Sequence, residues 1–338
     1  MIGEWHDKIF SLAEKDFGQL ALEIFHFQYQ ANRVYNSYVN ALGITPSGVD
    51  EIEKIPFLPI SFFKTDEIKT GRFNAGEIFE SSGSTQTTNS RHHVKDVSIY
   101  VESFTKAFQN MYGDLKEWCI LGLLPSYLEK GNSSLVYMVD SFIKQSRHSQ
   151  SGFYLYDLKK LNATLFSLES SNQKTLLIGV TYALLDFAEE FPRNSDREKL
   201  KNTIIMETGG MKGRREELTR MEVHEQLKKA FGKTEIHSEY GMTEILSQAY
   251  AKKEGRFECP PWMRVMIREE EDPLTVSAPR LQTVAPIAGA INIIDLANVY
   301  SCSFIATDDV GKLYPDKSFE VLGRMDGSDL RGCSLLTV

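Results

Sequence analysis

Ser81, Ser82, Gly83, Ser84 and Thr85 stand in a row within SSGSTQTTNSRHH. A glycine that takes positive φ lets successive amides point into one concavity, a nest suited to phosphate oxygens, and the flanking hydroxyls add uncharged donors. No G-x-x-x-x-G-K-[ST] occurs in the chain, so this is not a Walker A loop. A second group is Tyr240–Gly241–Met242–Thr243–Glu244 in HSEYGMTEI. Its ring can stack on a base, Thr243 can bond a phosphate, and Glu244 can hold a magnesium ion, which prefers oxygen ligands. A third, IATDDVGKL over Ile305–Leu313, sets a carboxylate after a strand, where such groups commonly accept hydrogen bonds from ribose hydroxyls. The fourth, LGRMDGSDLRGCSLL, places Arg324 just after a strand and carries Cys333 close to the end. Each segment alone also has a plainer reading. These are a solvated turn, a tight turn with a solvated glutamate, an Asp-Gly turn, a solvated arginine, and a tail thiol that is inert or simply buried.

The elements that must position these residues are read from periodicity. Phe10, Ala13, Phe17, Leu20, Ile24 and Phe27 recur at helical spacing and predict one apolar helix face, with Gly43 and Pro46 ending the segment. The stretch IPFLPISFFKTDEIKTG then reads as an irregular link. Beyond residue 95, helical stretches (Ser98–Tyr112, Ser133–Ile143, Arg214–Phe231) separate the β-rich runs CILGLLPS, GFYLYD, TLLIGVTY and NTIIMETGG. That alternation predicts an α/β architecture with a largely parallel sheet. From Met263 onward strands dominate (RVMIRE, GAINIIDL, CSFIAT, FEVLGR), which predicts a β-rich C-terminal subdomain.

Composition sets the outer bounds. The 338 residues are 42% hydrophobic and 25% charged, which suits a globular chain with a sizeable core. A formal charge of -8 argues against general binding to nucleic acid or an anionic membrane, while leaving room for a local cationic pocket. No apolar run reaches the roughly 18 residues of a membrane span, and the N-terminus lacks the pattern of a signal peptide. Cys119, Cys259, Cys302 and Cys333 form no C-x-x-C pair and have no histidine at ligand spacing. The expectation is a reduced, cytoplasmic protein without structural zinc.

Taken together, in this order and spacing, the segments resemble the adenylate-forming superfamily of acyl-CoA synthetases, luciferase and peptide-synthetase adenylation domains. Ser82–Thr85 is similar to its S-G-[ST]-[ST]-G loop, Tyr240–Glu244 to its Y-G-x-T-E, Thr307–Gly311 to its T-G-D-x-G, and Gly323–Asp326 to its hinge G-R-x-D. METGGMKG, with Gly209 and Gly210, is similar to the glycine-bearing strand end that faces adenine. The chain departs from the pattern at Gln86, where a second glycine is expected, and at Asp308, which replaces the glycine of T-G-D. Arg91 stands near the usual lysine. A narrower resemblance is to the LuxE-type acyl-protein synthetases of the bacterial bioluminescence fatty-acid reductase. It rests on PFLPISFFKTDEI, SSGST…SRH and LPSYLEKGNSSLVYMV.

The resemblance implies an α/β adenylate-forming large domain over 1–322, with a helical N-terminus (1–50), an α/β core of layered subdomains and a β-rich part (263–322). A hinge-like tail, 323–338, bears Cys333, and the small C-terminal domain with its lysine is expected to be absent. It further implies that ATP and Mg2+ activate a carboxylic acid, a fatty acid on the resemblance, as acyl-AMP, which is then transferred to the Cys333 thiol with help from a positive neighbour such as Arg331. Ser81–Thr85 and Tyr240–Thr243 would hold ATP, with Glu244 on the metal. Asp309 and Arg324 would fix the ribose, and Gly209–Gly210 would pack on adenine. Two rivals stay open: an acyl- or aryl-CoA ligase that uses CoA as acceptor, and a non-catalytic nucleotide-binding partner of an acyl reductase protein.

Overall fold

The computed structural model describes residues 2–81, 89–125, 131–191, 200–209, 218–269, 274–277 and 285–325. Ser82–Thr85, Gln86, Gly210, Asp326, Arg331 and Cys333 lie outside the described residues, as does the start of the helix expected from Arg214. The fold is mixed α/β, as the alternation of apolar runs predicts. It divides into two compact units. One takes the described residues to Ala107, Gly241–Gln248, and those from Glu258 onward; the other takes Phe108–Tyr240 and Ala249–Phe257.

The second unit is built on parallel strands. Gly152–Phe153, Cys119–Leu123, Thr175–Val180, Thr203–Thr208 and His237–Tyr240 lie side by side in that order, and Ala249–Ala251 pairs antiparallel with the last of them. Helices Ser134–Ser146, Leu158–Ser170, Thr181–Glu190 and Arg220–Phe231 make the connections. All six residues of Thr175–Val180 are buried, as a strand covered on both faces requires. Gly179 must be glycine there, because a Cβ would meet the Leu123 Cβ at 2.8 Å. Thr219 and Glu222 form a capping box that starts the last helix, and Gly232 ends it in the left-handed conformation.

The first unit combines helices Ile2–Phe10, Phe17–Ala31 and Arg33–Ala41 with an antiparallel meander. Val276–Ser277, Met263–Arg268, Ile287–Asp295, Phe304–Leu313 and Phe319–Arg324 pair in that order. The predicted apolar face over Phe10–Phe27 is interrupted. The first helix stops at Phe10, and Ala13 is extended and exposed before a 3-10 turn at Glu14–Asp16 and the α-helix that begins at Phe17. Two buried amides tie these helices to the sheet. Gln28 donates to the carbonyls of Asn298 and Val299 (3.2 and 3.0 Å) and accepts from the Ser303 amide (2.9 Å). Asn32 caps the third helix through the Tyr35 amide and donates to the Ser301 carbonyl at 2.9 Å.

The expected irregular link is better ordered than its prolines suggest. Leu58–Pro59 pairs parallel with Ile305–Ala306, the Ile60 amide donates to Ala306, and a short helix, Phe62–Thr65, follows. Proline is tolerated because this is a two-residue edge pairing. Helices Leu158–Ser170 and Thr181–Glu190 were not marked by the sequence: the first lies between two β-rich runs, and the second begins inside the last two residues of TLLIGVTY. Seven of the ten residues of the latter are buried, and its polar face is narrow, only Asp186, Glu189 and Glu190 being exposed, so its helical period is weakly marked.

Candidate functional site

In the parallel unit, Gly209 directly follows one strand and Tyr240 ends its neighbour, Thr208 being in register with Glu239. Gly209 has a φ of +56° with no atom of the described residues within 4 Å of the place a Cβ would take, and its carbonyl accepts from the Thr181 hydroxyl at 2.9 Å. Tyr240 is 8% exposed and its ring lies 5.7 Å from Phe257. Beneath them sits a buried polar cluster the sequence reading did not single out. Glu207 takes the Arg220 Nε at 3.3 Å and lies 3.5 Å from His224 Nε2, which also meets the Ser238 hydroxyl at 3.2 Å. Burial alone would raise the Glu207 pKa, but the His224 hydrogen bond and the Arg220 charge outweigh it and bring the carboxyl down to about 2. Glu239 accepts from the Thr208 hydroxyl; burial pushes it up to about 7, and the Glu207 charge adds to that.

In the other unit, Gly241 is exposed, Thr243 half-buried, and Met242 and Glu244 buried. Three buried side chains hold this turn. His92 Nδ1 lies 2.8 Å from the Thr243 carbonyl, and Asn298 donates to the Glu244 carbonyl at 2.7 Å. Asp295 accepts from the Leu246 amide at 2.7 Å and the Ser247 hydroxyl at 2.6 Å. Burial pushes Asp295 up to about 6 and His92 down to about 4, so the imidazole is neutral at ordinary pH. His92 stands in SRHH, shortly after the Ser/Gly-rich segment, and that position was the one signal the sequence carried.

Ser81 lies at the tip end of the Glu77–Glu80 and Arg91–Val94 hairpin. Its amide donates to the Ser90 carbonyl (3.0 Å) and its hydroxyl accepts from the Ser90 amide (2.9 Å), so Ser81 and Ser90 extend the pairing of these two strands.

Asp308 and Asp309 do not follow a strand as expected; they lie inside Phe304–Leu313, which pairs on both sides. The glycine that suggested a turn serves a close approach instead, since a Cβ on Gly311 would meet the Glu320 carbonyl at 2.2 Å. Arg324, the last residue of its own strand, is the cross-strand partner of Asp309. Buried Arg268 fixes this region from below, donating to the carbonyls of Thr307 (2.5 Å) and Ile291 (2.9 Å) and to Asn292 Oδ1 (2.7 Å).

No group of three or more His, Cys, Asp or Glu side chains able to hold a metal occurs among the described residues. Magnesium keeps several waters and uses one or two carboxylates with substrate phosphates, so a single carboxylate such as Glu244 is a donor set that fits it. Burial pushes the thiols of Cys119 up to about 11 and of Cys302 to about 12, far from thiolate chemistry. No helix among the described residues is long and apolar enough to cross a membrane.

This is the architecture of adenylate-forming enzymes. The structure is similar to 2-hydroxyisobutyryl-CoA ligase in complex with 2-HIB-AMP (TM-score 0.62, 10% identity, covering 93% of this chain and 68% of that one). It is also similar to ATP-bound MatB from Rhodopseudomonas palustris (TM-score 0.53, 14% identity, 73% of this chain) and to the luciferase-like enzyme of the mealworm Zophobas morio (TM-score 0.52, 15% identity, 77% of this chain and 60% of that one). The match covers 47% of MatB, so the chain aligns with about half the length of that enzyme. Residues 10–337 match the acyl-protein synthetase family, LuxE, and the chain belongs to that family. Among curated protein sequences no significant match was found.

Proposed function

We propose that the protein activates a carboxylic acid, a fatty acid on the family likeness, as its acyl-AMP and then passes the acyl group to a cysteine thiol, Cys333. The observation that carries this reading is the Tyr240–Glu244 turn, matched in full to the adenylate-forming pattern and held by buried side chains from separate segments. In the first step a carboxylate oxygen attacks the α-phosphorus of ATP and pyrophosphate leaves. Two anions must approach, and Thr243 with the Ser81–Thr85 loop would offset the repulsion by hydrogen bonds that tighten as charge builds. Magnesium, held by Glu244, would supply further charge neutralisation on the phosphate oxygens. Asp309 and Arg324 would orient the ribose, and the Gly209–Gly210 strand end with Tyr240 the base. In the second step the thiolate attacks the acyl carbonyl, the carbonyl carbon–oxygen bond to phosphate breaks, and AMP departs with the pair. The raised thiol pKa values of Cys119 and Cys302 support an acceptor elsewhere.

Carboxylate-dependent ATP–pyrophosphate exchange across fatty and aromatic acids tests the first step. Exchange with at least one acid is expected. ATP binding without exchange would favour a non-catalytic partner of an acyl reductase, and AMP release that requires CoA would favour a CoA ligase.

A further inference from the structure

We propose that His92 is a positioning residue for acyl-AMP formation, tying the Thr243–Glu244 turn to the strand that leads out of the Ser/Gly loop. The proposal rests on the adenylation reading above. His92 lies on Arg91–Val94, two residues past Ser90, whose amide donates to the Ser81 hydroxyl. The ring is fully buried and sits edge-on against Phe63, with centroids 5.8 Å apart and planes at 89°. Its Nδ1 is 2.8 Å from the Thr243 carbonyl. A carbonyl only accepts, so the proton is on Nδ1, and in the neutral ring Nε2 carries a lone pair. That Nε2 is buried, and the nearby Asn298 side chain makes no hydrogen bond of normal geometry with it. Leaving a buried ring nitrogen unpaired has a cost that a phenylalanine in the same space would not bear, so packing alone does not account for an imidazole here. What the imidazole adds is a single donor aimed at one carbonyl.

That carbonyl matters because of its neighbour. Asn298 donates to the next carbonyl, of Glu244, and also to Cys302 at 3.0 Å. Two consecutive carbonyls of the turn are therefore each held by a buried side chain from a different part of the chain. The peptide plane between Thr243 and Glu244 is fixed by the His92 bond, and with it the directions in which the Thr243 hydroxyl and the Glu244 carboxylate leave the backbone. Without the donor the turn could rock about that peptide. Small misplacements of groups that act in the transition state slow the chemical step more than they weaken substrate binding.

The test compares His92→Phe, which fills the space without a donor, with His92→Asn, whose amide nitrogen falls near the place of Nδ1 and can donate. For the phenylalanine variant the kcat of pyrophosphate exchange should fall by about tenfold or more, with the KM for ATP within about threefold of wild type and thermal unfolding preserved. His92→Asn should recover most of the lost rate. Wild-type kcat in His92→Phe, or equal losses in both variants that track loss of folding, would overturn the role. An independent reading comes from nitrogen-15 NMR of the folded protein, in which His92 should be the Nδ1–H tautomer at pH 7. The Nε2–H tautomer overturns the proposal even in an active enzyme. Absence of exchange by the wild type with every acid defeats the adenylation reading, and the role of His92 falls with it.

Discussion

Arg324 reaches across to Asp308 on the paired strand, Nη2 to Oδ2 at 2.7 Å, and not chiefly to Asp309, its own cross-strand partner, whose Oδ1 stands 3.6 Å from Nε. The residue that replaces the family's glycine thus holds the arginine. For Asp309→Ala we expect weaker ATP binding, by about tenfold if the carboxylate hydrogen-bonds a ribose hydroxyl, since bonds to charged groups contribute about 1.5–3 kcal/mol. Calorimetric titration with ATP measures this. Unchanged affinity would make Asp309 an ordinary strand residue.

Glu244→Gln keeps the shape of a buried side chain while removing its charge. Pyrophosphate exchange should drop by at least about tenfold, roughly 1.4 kcal/mol of barrier, across a magnesium titration. An exchange rate equal to wild type at every magnesium concentration would remove Glu244 from the metal role.

The pair Glu207 and Glu239 predicts stability trends of opposite sign. The Glu239 carboxyl, raised from 4.5 to about 7 in the fold, ionises more readily in the unfolded chain. Its contribution is fully present below about pH 4.5 and is lost as pH rises through 7, by on the order of 3 kcal/mol. Glu207, lowered to about 2, adds stability above about pH 4.5 that is lost as pH falls toward 2. Glu239→Gln keeps an acceptor for Thr208, so its melting temperature should exceed wild type at pH 8 and the gap should shrink by pH 4.5. A gap that is the same at both pH values contradicts the assignment.

Incubation with ATP, magnesium and a fatty acid should add one acyl group to the protein as a thioester, released by neutral hydroxylamine and mapped by mass spectrometry to Cys333. Cys333→Ser should still exchange pyrophosphate but hold no hydroxylamine-labile label. Label on Cys119, Cys259 or Cys302 instead would defeat the assignment of the acceptor.

The longer strands and the Tyr240–Glu244 turn were legible because their signals are local. Continuous apolar runs mark Cys119–Leu123 and Thr175–Val180, and five consecutive residues carry the turn. What escaped notice depends on partners distant in sequence. His92 becomes meaningful only when Thr243, 151 residues away, is brought against it. Asp295 and Asn298 likewise act on a turn about 50 residues upstream. Asp309 was misplaced because Asp-Val-Gly has turn composition, and only cross-strand pairing with Arg324 and the close approach at Gly311 show why a strand needs those residues. The Ile55–Gly71 stretch was underestimated for a similar reason: its strand exists only through Ile305 and Ala306.

Gln28 and Asn32 have a consequence for how the chain is made. Their partners, from Asn298 to Ser303, lie 269–275 residues further on, so the N-terminal helices emerge from the ribosome long before the groups that satisfy their buried amides. The parallel strands between Cys119 and Tyr240, by contrast, draw on one contiguous stretch of sequence. Synthesis therefore favours completing those strands while the first helices wait, with apolar faces uncovered, for the last third of the polypeptide. Long-range closure of this kind is slow and exposes the waiting segment to aggregation. Substitutions at Gln28 or Asn32 should accordingly register first as lower yield of folded protein during expression.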